Sequence, residues 1–170
     1  YVQEDAFHII NVLKKSPLFK EKNIDFKIHP DFAHEKNKYE SLLEKNWRLI
    51  DDIKKLDAYG IVISSNSGSV LEFASIGMSV IIIASNGAFT TNPMPEEGKG
   101  IIWDIAYDED ELKMIYQNLQ EIRSQKFSDV QNISEYYLKD FFSPVTLEAI
   151  IENFDLKEWI HLDFRDADNR

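Results

Sequence analysis

Residues 64–69, Ser-Ser-Asn-Ser-Gly-Ser, gather four hydroxyls, an amide and a glycine into six consecutive positions. A short apolar run, Ile61-Val62-Ile63, leads into them, and an apolar helical pattern, Val70, Leu71, Phe73 and Ala74, leads out. That order predicts a strand, a tight loop and the bare N-terminus of a helix. Such a terminus offers unpaired backbone N–H groups and the positive end of the helix dipole, which suits an anion such as a phosphate. The hydroxyls of Ser64, Ser65, Ser67 and Ser69 add donors, and Gly68 lets a ligand approach the backbone closely. Ser, Asn and Gly are also common helix caps. One cap needs no run of five such neighbours, so the loop reads as an anion site.

Glu72 lies one turn into the same helix. There a carboxylate complements the dipole; with a phosphate in the loop, it is also placed to accept hydrogen bonds from ligand hydroxyls. His29 follows an alternating stretch, Ile24–Ile28, and precedes Pro30, which sets the turn. A histidine there can donate to a phosphate; alone, it reads equally well as a loop residue bonded to backbone. His8, His34 and His161 have no metal-ligand spacing, so no metal site is expected. There is no P-loop lysine motif, no G-x-G-x-x-G and no nucleophile elbow, and a serine nucleophile at 64–69 lacks a triad pattern.

A chain of 170 residues with 44% hydrophobic and 12% aromatic content suits one globular domain with a sizeable core. The formal net charge of -11 argues against a nucleic-acid partner, but not against a single nucleotide held by backbone N–H groups. The absence of cysteine excludes disulfides and thiolate metal sites. No apolar run approaches the roughly 20 residues of a spanning helix. The chain begins at Tyr1, without Met, and reads as a piece of a longer protein.

These residues need positioning elements. Helices are expected at Asp5–Leu13, Lys36–Lys45 and Asp52–Asp57, and from Val70 to a left-handed Gly77. Strands are expected at Ile24–Ile28, Trp47–Ile50, Gly60–Ile63, Val80–Ala84 and Gly100–Ile105. The wholly apolar Val80–Ala84 suits a strand covered on both faces. Ser85–Lys99 reads as a long loop. Three helices follow: one capped by Asp108 with Glu111, one by Ser128 with Gln131, and one opening at Ser143-Pro144 before Leu147, Ile150, Ile151 and Phe154. The alternation through residue 125 predicts an α/β fold, a parallel sheet of about five strands with helices on both faces. Residues 126–160 would be helices packed on the same domain, and 161–170 a charged tail. His29-Pro30, the serine loop and the Ser85–Lys99 loop all follow strands, so they should line one carboxyl edge, where such sheets bind ligands.

His29-Pro30 after a strand, then Ser64-Ser65-Asn66-Ser67-Gly68-Ser69-Val70-Leu71-Glu72, then Gly77-Met78-Ser79-Val80-Ile81, resemble the C-terminal half of GT-B-fold glycosyltransferases. The resemblance covers about residues 24–120. It is closest to bacterial surface-polysaccharide enzymes: capsule and lipopolysaccharide biosynthesis proteins, sialyltransferases with His-Pro and Ser-Ser motifs, and glycerophosphotransferases of teichoic acid synthesis. Phe73 stands where that pattern has alanine after the glutamate, and Ser79 where it has proline. Asn92-Pro93-Met94-Pro95 is similar to the region after the next strand in such proteins.

The resemblance implies a Rossmann-like nucleotide-sugar-binding domain at residues 1–125, half of a GT-B fold. The donor would be UDP-, CDP- or CMP-linked, with no permanently bound cofactor. His29, Ser64, Ser65, Ser67, Gly68 and Ser69 would hold the donor phosphate. Glu72 would bind ribose or sugar hydroxyls, and Asn86, Gly87 and Asn92 would line the sugar side. The acceptor site, and often the catalytic base, would belong to an N-terminal domain that this chain lacks, so transfer by this chain alone is expected to be weak or absent. Lys99 is a candidate basic residue, or an ordinary solvated lysine. The expected location is cytoplasmic, free or at the inner face of the membrane. Two alternatives stand beside this reading: a nucleotide-sugar epimerase of the same fold, and a non-catalytic interaction domain in polysaccharide assembly.

Overall fold

The computed structural model describes residues 2–51, 60–65, 67–85, 90, 92–144 and 146. The helix α1 (Val2–Lys15) opens the chain and is followed by the single turn α2 (Pro17–Lys20). Pro17 takes the first position of α2, where its missing N–H costs nothing. Next come β1 (Ile24–Phe26), a 3-10 turn over Pro30–Glu35, α3 (Lys36–Glu40) and β2 (Trp47–Leu49). Then follow β3 (Ile61–Ser64), α4 (Ser69–Ser75), β4 (Ser79–Ile83), β5 (Trp103–Ala106), α5 (Glu109–Gln125) and α6 (Phe127–Phe142). The class is α/β. The helices expected at 52–57 and 147–154 lie outside the described residues.

All strand pairings are parallel, but the described strands form two sheets instead of a single sheet of about five. β1 pairs with β2, Ile24 opposite Trp47, and a three-stranded sheet runs β3-β4-β5. A three-residue strand has few N–H and C=O groups to share, and those of β1 run to β2 and its flanks: Ile24 N–H to Asn46, Ile50 N–H to Phe26. Both sheets still bury side chains in one core: Ile24, Phe26 and Leu49 pack with Ile61, Ile63, Ile81 and Ile83.

The β4 strand has every residue buried, as its apolar run predicts. Its side chains alternate between two cores. Ile81 and Ile83 face the core shared with α1 and both sheets; Val80 and Ile82 face one built from Val70, Ala74, Trp103, Val130 and Tyr137. The α5 stripe spans both, with Leu112, Ile115 and Leu119 on the first and Ile122 on the second. Its start is closed by Asp108 Oδ1, which accepts the Glu111 N–H at 2.8 Å, while Glu111 Oε2 accepts the Tyr107 N–H at 2.9 Å. Gly77, at φ 87°, ends α4 in a Schellman motif: Gly77 N–H bonds Ala74 and Met78 N–H bonds Phe73.

Several expected boundaries move: the first strand ends at Phe26, two residues short, and the first helix runs Val2–Lys15. Three further changes have a local cause. The apolar Gly100–Ile102 belongs to a turn, because Gly98 and Gly100 take left-handed backbone and the N–H groups of Ile101 and Ile102 close back on Gly98. The Ser128–Gln131 capping box does not form, because α6 begins two residues earlier, at Phe127, directly from Lys126, which also ends α5. The helix expected over Lys36–Lys45 stops at Glu40, and Leu42 and Leu43 pack inward from turns.

Candidate functional site

Parallel register places the ends of three strands at one edge. Ser64 is opposite Ile82, and Ile83 opposite Ala106, so β3, β4 and β5 all finish there. The segment leaving β3 is the serine loop, with Ser64 as the last strand residue. Ser67 and Gly68 are exposed; Ser64, Ser65 and Ser69 are half-buried. The hydroxyl oxygens of Ser67 and Ser69 lie 2.8 Å apart in a hydrogen bond. The loop bends straight into α4, with Val70 N–H donating to the Ser67 carbonyl and Leu71 N–H to that of Gly68, each at 3.3 Å.

No side chain caps α4, whose N-cap position is Gly68 itself. The hydroxyls of Ser67 and Ser69 bond each other instead of capping the helix. Gly68 has φ −61° and ψ −25°, a backbone open to any residue. A methyl group there would meet nothing within 4 Å. Glycine is thus required neither by the turn nor by packing, and leaves the approach to the α4 N–H groups clear. With only seven residues, α4 carries a modest dipole, so local N–H and O–H donors must supply most of any anion affinity. Glu72 is exposed in the first turn.

His29 caps the 3-10 turn that follows β1. Its Nδ1 accepts the Asp31 N–H at 3.3 Å and lies 3.5 Å from Asp31 Oδ2. An accepting Nδ1 puts the proton of the neutral ring on Nε2, where it can be donated outward. The ring is exposed and its bonds run to Asp31, so the structure fixes its orientation without bonding it to the serine loop.

After β4, the Ser85 N–H donates to Thr90 Oγ1 at 3.0 Å. The Ser85 hydroxyl donates to Asp5 Oδ1 at 3.2 Å. Asp5, on α1, is thereby brought to the end of the central strand. Nothing in its sequence neighbourhood announces this, since the two residues are 80 positions apart. Asn86 and Gly87 lie outside the described residues. The Asn92 side chain is committed to its own turn: Oδ1 accepts the Met94 N–H at 3.0 Å and Nδ2 donates to the Met94 carbonyl at 3.4 Å. Lys99 stands before β5, at the amino edge of the sheet, with its ammonium 5.7 Å from the Trp103 ring centroid. That edge is opposite the serine loop.

The displaced titrations near the amino edge have packing causes. Burial pushes the Tyr137 phenol up to about 12, and the nearby Glu97 charge adds to it. Its hydroxyl donates to the Glu97 carbonyl. Burial lowers the Arg123 pKa, and its guanidinium donates to the Gly77 carbonyl. Among the described residues no three His, Cys, Asp or Glu gather as metal ligands, and no helix is long and apolar enough to cross a membrane. Comparison with protein families, curated proteins and solved structures finds no significant match to this chain.

Proposed function

We propose that this chain is the donor-binding half of a glycosyltransferase of bacterial surface-carbohydrate synthesis, and that its ligand is a UDP-, CDP- or CMP-linked sugar. One observation carries the reading: an uncapped helix start, with the paired Ser67 and Ser69 hydroxyls beside it, lies open at the carboxyl edge of a parallel sheet. The motif resemblance supplies the ligand class.

In this proposal the backbone N–H groups at Gly68 and Ser69 and the hydroxyls of Ser64, Ser65, Ser67 and Ser69 surround the donor phosphate. His29 donates from Nε2 to the same group. Glu72 accepts from ribose or sugar hydroxyls. Asn86 and Gly87 line the sugar side, and Asn92 shapes that loop through its bonds to Met94. The reaction breaks the bond between the anomeric carbon and the phosphate oxygen, and an acceptor hydroxyl forms the new bond to that carbon. The leaving group is a nucleoside mono- or diphosphate, and the acceptor's proton passes to a base on an N-terminal domain. This half stabilises the charge gathering on the leaving phosphate with donors already in place. The interaction-domain alternative would favour an obstructed serine loop; Ser67 and Gly68 are exposed.

Thermal melts with UDP, CDP and CMP test the proposal. A nucleotide at about 100 times its Kd stabilises the fold by roughly 2.7 kcal/mol, or about 5–10 °C at this chain length. The double substitution Ser67→Ala with Ser69→Ala should remove that shift while leaving the unliganded melt within about 2 °C. No shift with any of the three at millimolar concentration overturns it.

A further inference from the structure

Ile101-Ile102-Trp103-Asp104-Ile105-Ala106-Tyr107 is apolar or aromatic at six of its seven positions, with no proline and a single charge, Asp104. Segments of that kind pair with copies of themselves when a strand edge is open to water. Here the segment supplies β5, the end strand of the three-stranded sheet. Among the described residues β5 has β4 on one side and, on the other, only a single bridge from Lys99 to Trp103. Beyond that bridge the edge meets water: Asp104 and Ile105 are half-buried, and Tyr107 is 70% exposed.

The ladder to β4 uses alternate residues of β5. Val80 N–H donates to the Ile102 carbonyl and Ala84 N–H to that of Ala106, with Val80 opposite Trp103 and Ile82 opposite Ile105. The backbone of Trp103, Ile105 and Tyr107 is therefore turned outward. Each outward N–H is already engaged. Trp103 N–H donates to the Gly98 carbonyl at 3.4 Å, and the Trp103 carbonyl accepts from Gly100 N–H at 2.7 Å. Ile105 N–H donates to Asp104 Oδ1 at 2.8 Å, and Tyr107 N–H to Glu111 Oε2 at 2.9 Å. The partners change in kind along the edge, from backbone to carboxylate. A carboxylate accepts and has no N–H to pass on, so it ends the ladder where a strand would extend it. An incoming strand would have to displace both carboxylates and leave their charges beside it.

We propose that Asp104 and Glu111 bar β5 to a second copy of this chain. Their carboxylates hold the Ile105 and Tyr107 N–H groups that an added strand needs, and Asp104 is the one charge that keeps the 101–107 segment single. Glu111 also serves the start of α5. The one hydrogen bond of Asp104 among the described residues is to Ile105, so the barrier is its own task. This is independent of the reading of the serine loop.

Asp104→Ala tests the proposal on the full chain. Asp110→Ala, at an exposed position on α5, is the control and removes the same charge away from the edge. By sedimentation at increasing concentration, the Asp104→Ala variant should self-associate roughly tenfold more tightly than the original protein or the control, the effect of one competing hydrogen bond removed. Amide NMR spectra should place the concentration-dependent shifts and the slowed exchange at residues 103–107, which separates strand addition from unfolding. The melting temperature should stay within about 4 °C of the original, because the bond removed is at the surface. Association no tighter than the control, shifts centred elsewhere, or a larger fall in melting temperature overturns the proposal; the last outcome would make Asp104 a residue of the fold and not of its edge.

Discussion

A methyl group added at Gly68 would meet no atom within 4 Å; one added at Gly98 would lie 2.7 Å from Cγ2 of Ile133 and 2.8 Å from the Tyr137 hydroxyl. The first glycine is at the carboxyl edge of the three-stranded sheet and the second at the amino end of β5. Gly98 takes φ +87°, while Gly68 has ordinary helical backbone. Around Gly98 the polar groups are spent on one another: the Tyr137 hydroxyl and the Trp103 indole N–H both donate to the Glu97 carbonyl, and Ile102 N–H to Gly98 itself. Around Gly68 the hydroxyls of Ser67 and Ser69 bond each other at an exposed helix start. Glycine at the amino edge is a structural necessity, and glycine at the carboxyl edge is vacant space. A glycine that neither the backbone nor the packing requires, at an exposed helix start, is what the proposed ligand site would need.

Substitutions that exchange the two environments' properties test this contrast. The largest effect is expected from Gly98→Ala, which adds left-handed strain to a steric clash. It should cost roughly 3 kcal/mol, read by urea denaturation. A cost under about 1 kcal/mol would show that the turn can relax, and that the edges differ less than their geometry states.

Tyr137→Phe removes the donor to Glu97 and should cost about 1–2 kcal/mol at neutral pH. It also has a pH signature. A phenol held at about 12 in the fold, above the usual 10, favours the folded state only while protonated. That stability is fully present below pH 10 and is lost as pH rises toward 12, because the unfolded chain releases the proton first. The stability curve of the Phe variant should therefore be flatter between those values, and an equally steep fall would remove Tyr137 as the cause.

The smallest effect belongs to Gly68→Ala. Its helical backbone and open surroundings predict unchanged stability or a gain of about 0.4–1 kcal/mol. The same substitution should weaken any nucleotide-induced shift, since the methyl group occupies the approach to the α4 N–H groups. A destabilised protein would mean that Gly68 serves the fold after all.

Much of this architecture could be read in advance where one physical cause dominates locally. Val80–Ala84 is apolar at every position, and only a doubly covered strand tolerates that. Gly77 and the Asp108–Glu111 box are short-range devices that act within a few residues. The errors arise where distant packing decides. Gly100–Ile102 resembles a strand start, yet it becomes a turn because Gly98 must fit beneath Ile133 and Tyr137 on α6. Ser128 and Gln131 have capping spacing, but Lys126 already turns the chain from α5 into α6. In the candidate site, the run of serines at 64–69 is legible because it is contiguous; the hydrogen bond between Ser67 and Ser69 is not. Asp5 was not, since its arrival at Ser85 depends on how α1 lies on the first core. The resemblance implies Asn92 on the sugar side, and its turn engages both ends of the amide.

The alternation along β4 carries a further consequence. Val80 and Ile82 belong to one core and Ile81 and Ile83 to the other, so a single backbone is the common wall of two rooms. A slip of one residue against β3 or β5 would exchange their contents and send each side chain into a cavity shaped for its neighbour. Neither room can be vacated while the other stays furnished: β4 must lose its hydrogen bonds for both or for neither. The serine loop, fastened to the adjacent strand, thus rests on a wall that does not come apart by halves.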